Sequence, residues 1–213
     1  MMTLVSSASF KQSASHCCEE PFSSPLFHKV VAQFDDTTRH VILELGSTSS
    51  GTLAMLQGKR CRLLVANTAL ALSALNEKSQ DAESLSQEVA TLIFDAGVEK
   101  VDTVFCWDLL NYLSLPLMKA FTTRLAAIMA PGGMVHAYIH SAYATMPQYP
   151  QRYSLQGDDR VLRLDRDPDV RKTPRYSFGD LEKYADGLHV DRSMLLRNGI
   201  QEYLLSVNQK RAE

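Results

Sequence analysis

The chain has 213 residues, 45% of them hydrophobic, which suits one domain, or a domain with one appended segment, and a sizeable core. With 22 Lys+Arg against 24 Asp+Glu, the formal net charge of −2 provides no global field for nucleic acid or an anionic membrane. No apolar stretch approaches the roughly 20 residues of a membrane helix, and the N-terminus lacks a charged region followed by a continuous apolar run, so the expectation is a soluble, cytoplasmic protein.

Residues 1–24 read as a disordered or loosely attached leader, because the Ser-rich stretch MMTLVSSASFKQSASHCCEE has little apolar surface to offset ordering entropy. The four cysteines, Cys17, Cys18, Cys61 and Cys106, show neither zinc-ligand pairing nor the density of a disulfide scaffold, so reduced thiols are expected. His16 beside Cys17 and Cys18 lacks a second ligand cluster, and no metal site is assigned.

From Pro25 to Phe34 apolar residues recur at helical spacing, and a continuous apolar run then marks Val41 to Leu45 as a strand buried on both faces. The segment VILELGSTSSGTL, residues 41–53, passes from that strand through an acid into a glycine-bounded turn of hydroxyl residues. Strand-to-turn junctions of this kind hold ligands at the carboxyl ends of parallel strands, where backbone N–H groups converge. A short helix opens at Thr52, Cys61 to Ala66 is a second strand ending at Asn67, and the Ala-Leu run after it is helical. Residues 77–92 are polar and helix-permissive; Ala90 to Asp95 fits a third strand or a helix end equally.

Val101 to Trp107, rich in β-branched and aromatic residues, is a strand that ends at Asp108. An amphipathic helix follows from Leu115 to Met129, stopped by Pro131-Gly132-Gly133, which turns the chain into a strand from Met134 to Ile139. Residues 149–175 form a charged insertion, with a small hairpin around Gly157-Asp158-Asp159, whose mixed charge reads as a solvated excursion serving as a lid or partner contact. Ser177 with Asp180 resembles a capping box before a helix containing Leu181 and Tyr184. Arg192 to Leu196 and Gln201 to Val207 flank Asn198-Gly199, the strongest short hairpin signal. The expected fold is α/β: a Rossmann-like, doubly wound, mostly parallel sheet with a C-terminal antiparallel hairpin and helices on both faces, one domain over 25–213.

In this order the segments resemble class I S-adenosylmethionine-dependent methyltransferases over roughly residues 25–207. ILELGSTSSG is similar to the family's first motif, VDTVFCWDLLNYL to its fourth-strand motif, LAAIMAPGGMV to its helix-Pro-Gly-Gly-strand junction, and the final hairpin to its reversed last strand. The resemblance implies S-adenosylmethionine as cofactor, held by Glu44, Gly46, Ser47, Thr48, Gly51, Asn67, Asp95 and Trp107. It places Asp108, Asn111, Tyr112 and His140 near the reacting methyl group, where a carboxylate or imidazole can take a proton and an amide or phenol can hold an acceptor.

Departures fall on the cofactor side. The family's second and third glycines correspond to Thr48 and Ser50, whose Cβ atoms take up space, and its acid after the second strand corresponds to the neutral Asn67, which can accept ribose hydrogen bonds with one end only. A weakened or lost cofactor is therefore expected. His136 and His140 share a strand face but stand about 13 Å apart, too far for one metal ion. His140, near the strand's carboxyl end, is the better site candidate and His136 the packed one. Arg175, Tyr176, Arg192 and Arg197 are candidates for an acidic substrate, with surface roles as the alternative.

Three functions fit. The first is a methyltransferase-like protein acting on an unidentified small-molecule or protein acceptor. The second is a non-catalytic relative using the fold as a partner-binding module or homodimer. The third, weaker, is a nicotinamide-dependent oxidoreductase, because Gly46 to Gly51 also reads as Gly-x-Thr-x-x-Gly.

Overall fold

The computed structural model describes residues 20–77, 81–93, 99–157, 159–165 and 168–207. His16, Cys17, Cys18 and Asp95 lie outside the described residues. The elements in chain order are β1 (Phe22–Ser23), α1 (Pro25–Val31), β2 (His40–Glu44), α2 (Ser50–Leu56), β3 (Cys61–Val65), α3 (Ala69–Ala74), α4 (Ala82–Leu92), β4 (Val101–Trp107), α5 (Leu115–Ile128) and β5 (Met129–His140). They continue as β6 (Thr145–Pro147), β7 (Tyr153–Leu155), β8 (Arg160–Arg163), β9 (Val170–Lys172), α6 (Phe178–Tyr184), β10 (Leu188–Leu195) and β11 (Ile200–Val207).

Six strands make the central sheet in the order β10-β11-β5-β4-β2-β3. The crossovers through α2, through α3 and α4, and through α5 keep β2, β3, β4 and β5 parallel, while β11 runs antiparallel to both β5 and β10. The doubly wound sheet with its C-terminal hairpin is thus the architecture present. On one face α3, α4, α5 and α6 contribute Leu72, Leu85, Val89, Phe121 and Leu181 to a core over Val104, Val135 and Leu205. On the other, Phe27 and Val30 of α1 pack with Ile42, Phe105, Tyr138 and Leu204. Burial on both faces explains the continuous apolar runs of β2 and β4.

Details set by tertiary packing differ from the sequence reading. Ala90 to Leu92 end helix α4, so the third-strand alternative finds no strand among the described residues, and β3 is an edge. Helix α5 stops at Ile128, ahead of Pro131, and residues 130–133 bulge between the pairs Val101↔Met129 and Thr103↔Met134. Residues 22–24 are built into the fold: β1 pairs with β8, and Ser24 is buried.

The segment expected to be a solvated excursion has a buried face. Its charges alternate with apolar residues at strand period, so Arg152 and Arg160 face solvent while Tyr153, Leu155 and Val161 enter the core beside α1. β7 and β8 form the hairpin around Gly157, and β9 pairs with β6. Ser177 and Asp180 form the reciprocal capping box that opens α6.

Candidate active site

The carboxyl ends of β2, β3, β4 and β5 converge on one edge of the sheet, and two sites form there. The first is the turn after β2. Glu44 is fully buried; it accepts hydrogen bonds from the Thr48 hydroxyl and from Trp107 Nε1 at 3.2 Å. Burial raises its pKa above the ordinary carboxylate value, and the two donors oppose that rise. Gly46 has φ +153°, a conformation that favours glycine, and gives its N–H to Ala66. Gly46, Ser47 and Thr48 are half-buried, and Asn67 is exposed at the neighbouring strand end.

Ser49 caps α2 by accepting from Thr52 N at 3.1 Å. Gly51, inside that helix, is pressed against the insertion: a Cβ there would lie 2.3 Å from the Leu155 carbonyl oxygen and 2.5 Å from Ser154 Oγ. The glycine therefore serves close packing of α2 on β7.

The second site follows β4. Trp107 adopts φ +50°, unusual for a residue with a side chain, and its indole lies against the turn on one side and stacks on Tyr153 at 5.2 Å and 19° on the other. Asp108, fully buried, accepts weakly from Gln151 N at 3.2 Å and stands 3.9 Å from His140 Nε2, longer than a hydrogen bond. It precedes a short 3-10 turn, Leu109–Tyr112, without capping it through its side chain. Burial drives its pKa up; His140, the Gln151 N–H and Tyr153 hold back that rise. The phenol of Tyr153 is pushed well above its ordinary value, first by burial and then by Asp108.

Asn111 and Tyr112 are brought to the same loop but are engaged elsewhere. Asn111 donates to the Asp108 and Tyr138 carbonyls and accepts from His140 N at 2.8 Å, tying the loop to β5. The Tyr112 hydroxyl donates to the Tyr149 carbonyl at 2.8 Å, with Pro147 O at 3.2 Å, and so anchors the insertion. Tyr176 donates to the Leu113 carbonyl at 2.6 Å, Arg175 to the Tyr143 carbonyl at 3.3 Å, and Arg192 and Arg197 are exposed.

His140 and Tyr153 border a cavity of about 450 Å³ whose other lining includes Phe22, Tyr143, Met146 and Ile200. His140 Nε2 and the Tyr153 hydroxyl, both buried, have no hydrogen-bond partner among the described residues. Both atoms lie behind the cavity wall on the side of the Asp108 carboxylate, with which both side chains interact. Tyr153 is the participant that sequence reasoning did not place in the site. Its only signal was a ring within a charged alternation.

His136 has a different setting. Its Nε2 lies 2.9 Å from Glu202 Oε1, and Glu202 also accepts from the Ser24 hydroxyl, Phe27 N at 2.8 Å and Leu26 N at 3.1 Å. Burial alone would raise Glu202, but His136, Ser24 and the Phe27 N–H outweigh it, and the net pKa is lowered.

No protein-family model and no curated protein matches the chain. Among solved structures, a 1,6-didemethyltoxoflavin-N1-methyltransferase from Burkholderia thailandensis, with 1,6-didemethyltoxoflavin and S-adenosylhomocysteine bound, is similar at TM-score 0.47 and 13% identity, over 86% of this chain and 76% of that one. An S-adenosylmethionine-dependent methyltransferase from Clostridium acetobutylicum is similar at TM-score 0.47 and 14% identity, over 79% and 84%. The N-methyltransferase NodS from Bradyrhizobium japonicum, in complex with S-adenosylhomocysteine, is similar at TM-score 0.44 and 13% identity, over 84% and 85%.

Proposed function

Because the sheet order, its parallel crossovers and its reversed inserted strand are those of the class I methyltransferase fold, we propose that this chain is an S-adenosylmethionine-dependent methyltransferase-like protein. Its acceptor enters the cavity beside Asp108 and His140. The observation that carries this reading is the sheet order with β11 reversed between β5 and β10, which brings the glycine turn after β2 and the buried Asp108 beside His140 to one edge of the sheet. No helix among the described residues is long and apolar enough to cross a membrane.

The turn fits the cofactor in part. Gly46, Ser47 and Asn67 are not sealed, and with Glu44 they would hold its amino-acid and ribose ends. Gly51 contributes nothing directly, since Leu155 covers it. When bound, the sulfonium supplies an electrophilic methyl group. On the acceptor side, His140 takes a proton at Nε2, Asp108 offsets the charge so formed, and Asn111 fixes the backbone of His140. Trp107 and Tyr153 exclude water, and because they stand between turn and cavity, β7 has to shift before the two sites communicate.

The same stack favours a second reading, a non-catalytic relative in which β7 permanently closes the turn. Titration calorimetry with S-adenosylmethionine and S-adenosylhomocysteine separates the two. The leading reading expects saturable heat for both, with Thr48→Gly/Asn67→Asp binding more tightly by about tenfold as ribose acceptors return. Absence of heat from both compounds, with the fold intact by circular dichroism, supports the second reading.

A further inference from the structure

The outer edge of β10 is open: the strand ends the central sheet, and no described strand pairs with it on the side away from β11. An open edge is a template for pairing with another chain. Near the end of the strand, Met194 and Leu195 leave 41% and 63% of their surface to solvent.

The hairpin fixes which backbone groups point outward. Leu196 N donates to Ile200 O, so by alternation the backbone groups of Ser193 and Leu195 turn away from β11. Val190 N also turns away, since it donates to Glu182 Oε1 at 2.6 Å. Leu188 shares that phase; its N–H is given to Ala185 O, which leaves its carbonyl. Between the two halves lies a bulge: Val190 opposes Leu205 and Arg192 opposes Leu204, with Asp191 as the extra residue.

Bulges and charges ordinarily spoil an edge for pairing. This bulge has the opposite effect, because it makes the faces of Leu188–Leu195 symmetric about the middle of the strand. Leu188, Val190 and Ser193 oppose Val207, Leu205 and Tyr203, and with Leu195 they lie on the α6 side. Arg192 and Met194 oppose Leu204 and Glu202 on the α1 side, where alternation also puts His189 and Asp191. An unbulged strand turned about a point between two residues would set side chains of opposite faces against each other. Here the match runs the length of the strand.

We propose that β10 pairs antiparallel with β10 of a second copy of this chain, about a twofold axis between Asp191 and Arg192. In that register Leu188 meets Leu195 of the copy, His189 meets Met194, Val190 meets Ser193, and Asp191 meets Arg192, each pair on one face. The axis repeats every pair, so two Asp–Arg pairs flank the centre and two Leu–Leu pairs close the ends. Val190 and Ser193 exchange backbone hydrogen bonds, and Leu195 N–H meets the Leu188 carbonyl. Glu182, which is exposed, yields the Val190 N–H to the Ser193 carbonyl of the copy. A single strand pair is a small interface, so the association is weak and reversible. Neither the cofactor turn nor the cavity takes part in it.

Sedimentation equilibrium of the full-length protein tests the register through charge. Wild type should dimerise reversibly at concentrations between about 1 μM and 1 mM. Asp191→Arg and Arg192→Asp each set like charges together on both sides of the axis, and each should weaken association by at least about tenfold. An equimolar mixture of the two variants should recover it, because a chain with two arginines then faces one with two aspartates. The double variant Asp191→Arg/Arg192→Asp should dimerise as wild type does. All substituted positions are exposed, and an unchanged thermal unfolding midpoint verifies the fold of each variant. A wild type monomeric up to about 1 mM, a single variant that dimerises like wild type, or a mixture or double variant that stays monomeric overturns the proposal.

Discussion

Strand β5 carries two buried histidines four residues apart, each beside a buried carboxylate, and the two pairs are built differently. Glu202, beside His136, receives hydrogen bonds from Ser24, Leu26 N and Phe27 N as well, and its pKa is lowered. Asp108, beside His140, has weak donors from Gln151 N and no hydrogen bond to the imidazole, and its pKa is raised. The first pair holds the N-terminal segment against the sheet. The second borders a cavity. Each imidazole has one buried nitrogen without a partner among the described residues, His136 Nδ1 and His140 Nε2, so the pairs differ in the donors supplied to their carboxylates.

Glu202→Ala gives the largest expected effect. It leaves Ser24, Leu26 N, Phe27 N and His136 without their acceptor, and urea unfolding should show a loss of about 3–5 kcal/mol. A loss no larger than that of an exposed acid would erase the contrast. Gly51→Ala comes next: the new Cβ collides with the Leu155 backbone, so unfolding should register a cost of about 1–3 kcal/mol. A neutral outcome would mean that β7 does not seal the turn. Asp108→Asn is smallest, within about 1 kcal/mol of wild type at neutral pH, because the replaced charge was already disfavoured.

The same contrast appears in pH dependence. Glu202, with its folded pKa lowered, contributes stability that is present above its ordinary value of 4.5 and is lost as pH falls through the folded value. Asp108, with its folded pKa raised, acts in the opposite sense: its contribution is present below the ordinary 3.8 and is lost as pH rises through the folded value. As pH rises from the acid range, wild type should therefore gain stability over Glu202→Gln, up to about pH 4.5, and lose stability relative to Asp108→Asn, from about pH 3.8 upward. Parallel profiles would contradict the assignment.

Much of this fold was legible in the sequence because burial on both faces writes continuous apolar runs, as in Val101–Trp107, and because Asn198-Gly199 specifies its hairpin chemically. The insertion was less legible: the alternation around Tyr153, Leu155 and Val161 is a strand signal masked by the arginines on its other face. Asn111 and Tyr112 pointed to the correct loop, yet their partners, the Tyr138 and Tyr149 carbonyls, come from distant segments that no local pattern reveals. Glu202 had a faint signal, a lone acid in the apolar strand IQEYLLSV, but its four donors are assembled only by the fold.

A co-crystal structure with S-adenosylhomocysteine would locate the cofactor. The ligand should lie along Glu44, Gly46, Ser47 and Asn67, with Tyr153 shifted from Trp107 so that turn and cavity join. A ligand bound elsewhere, or a fully occupied turn with the Trp107–Tyr153 stack and the Leu155 contact on Gly51 unchanged, would contradict this placement.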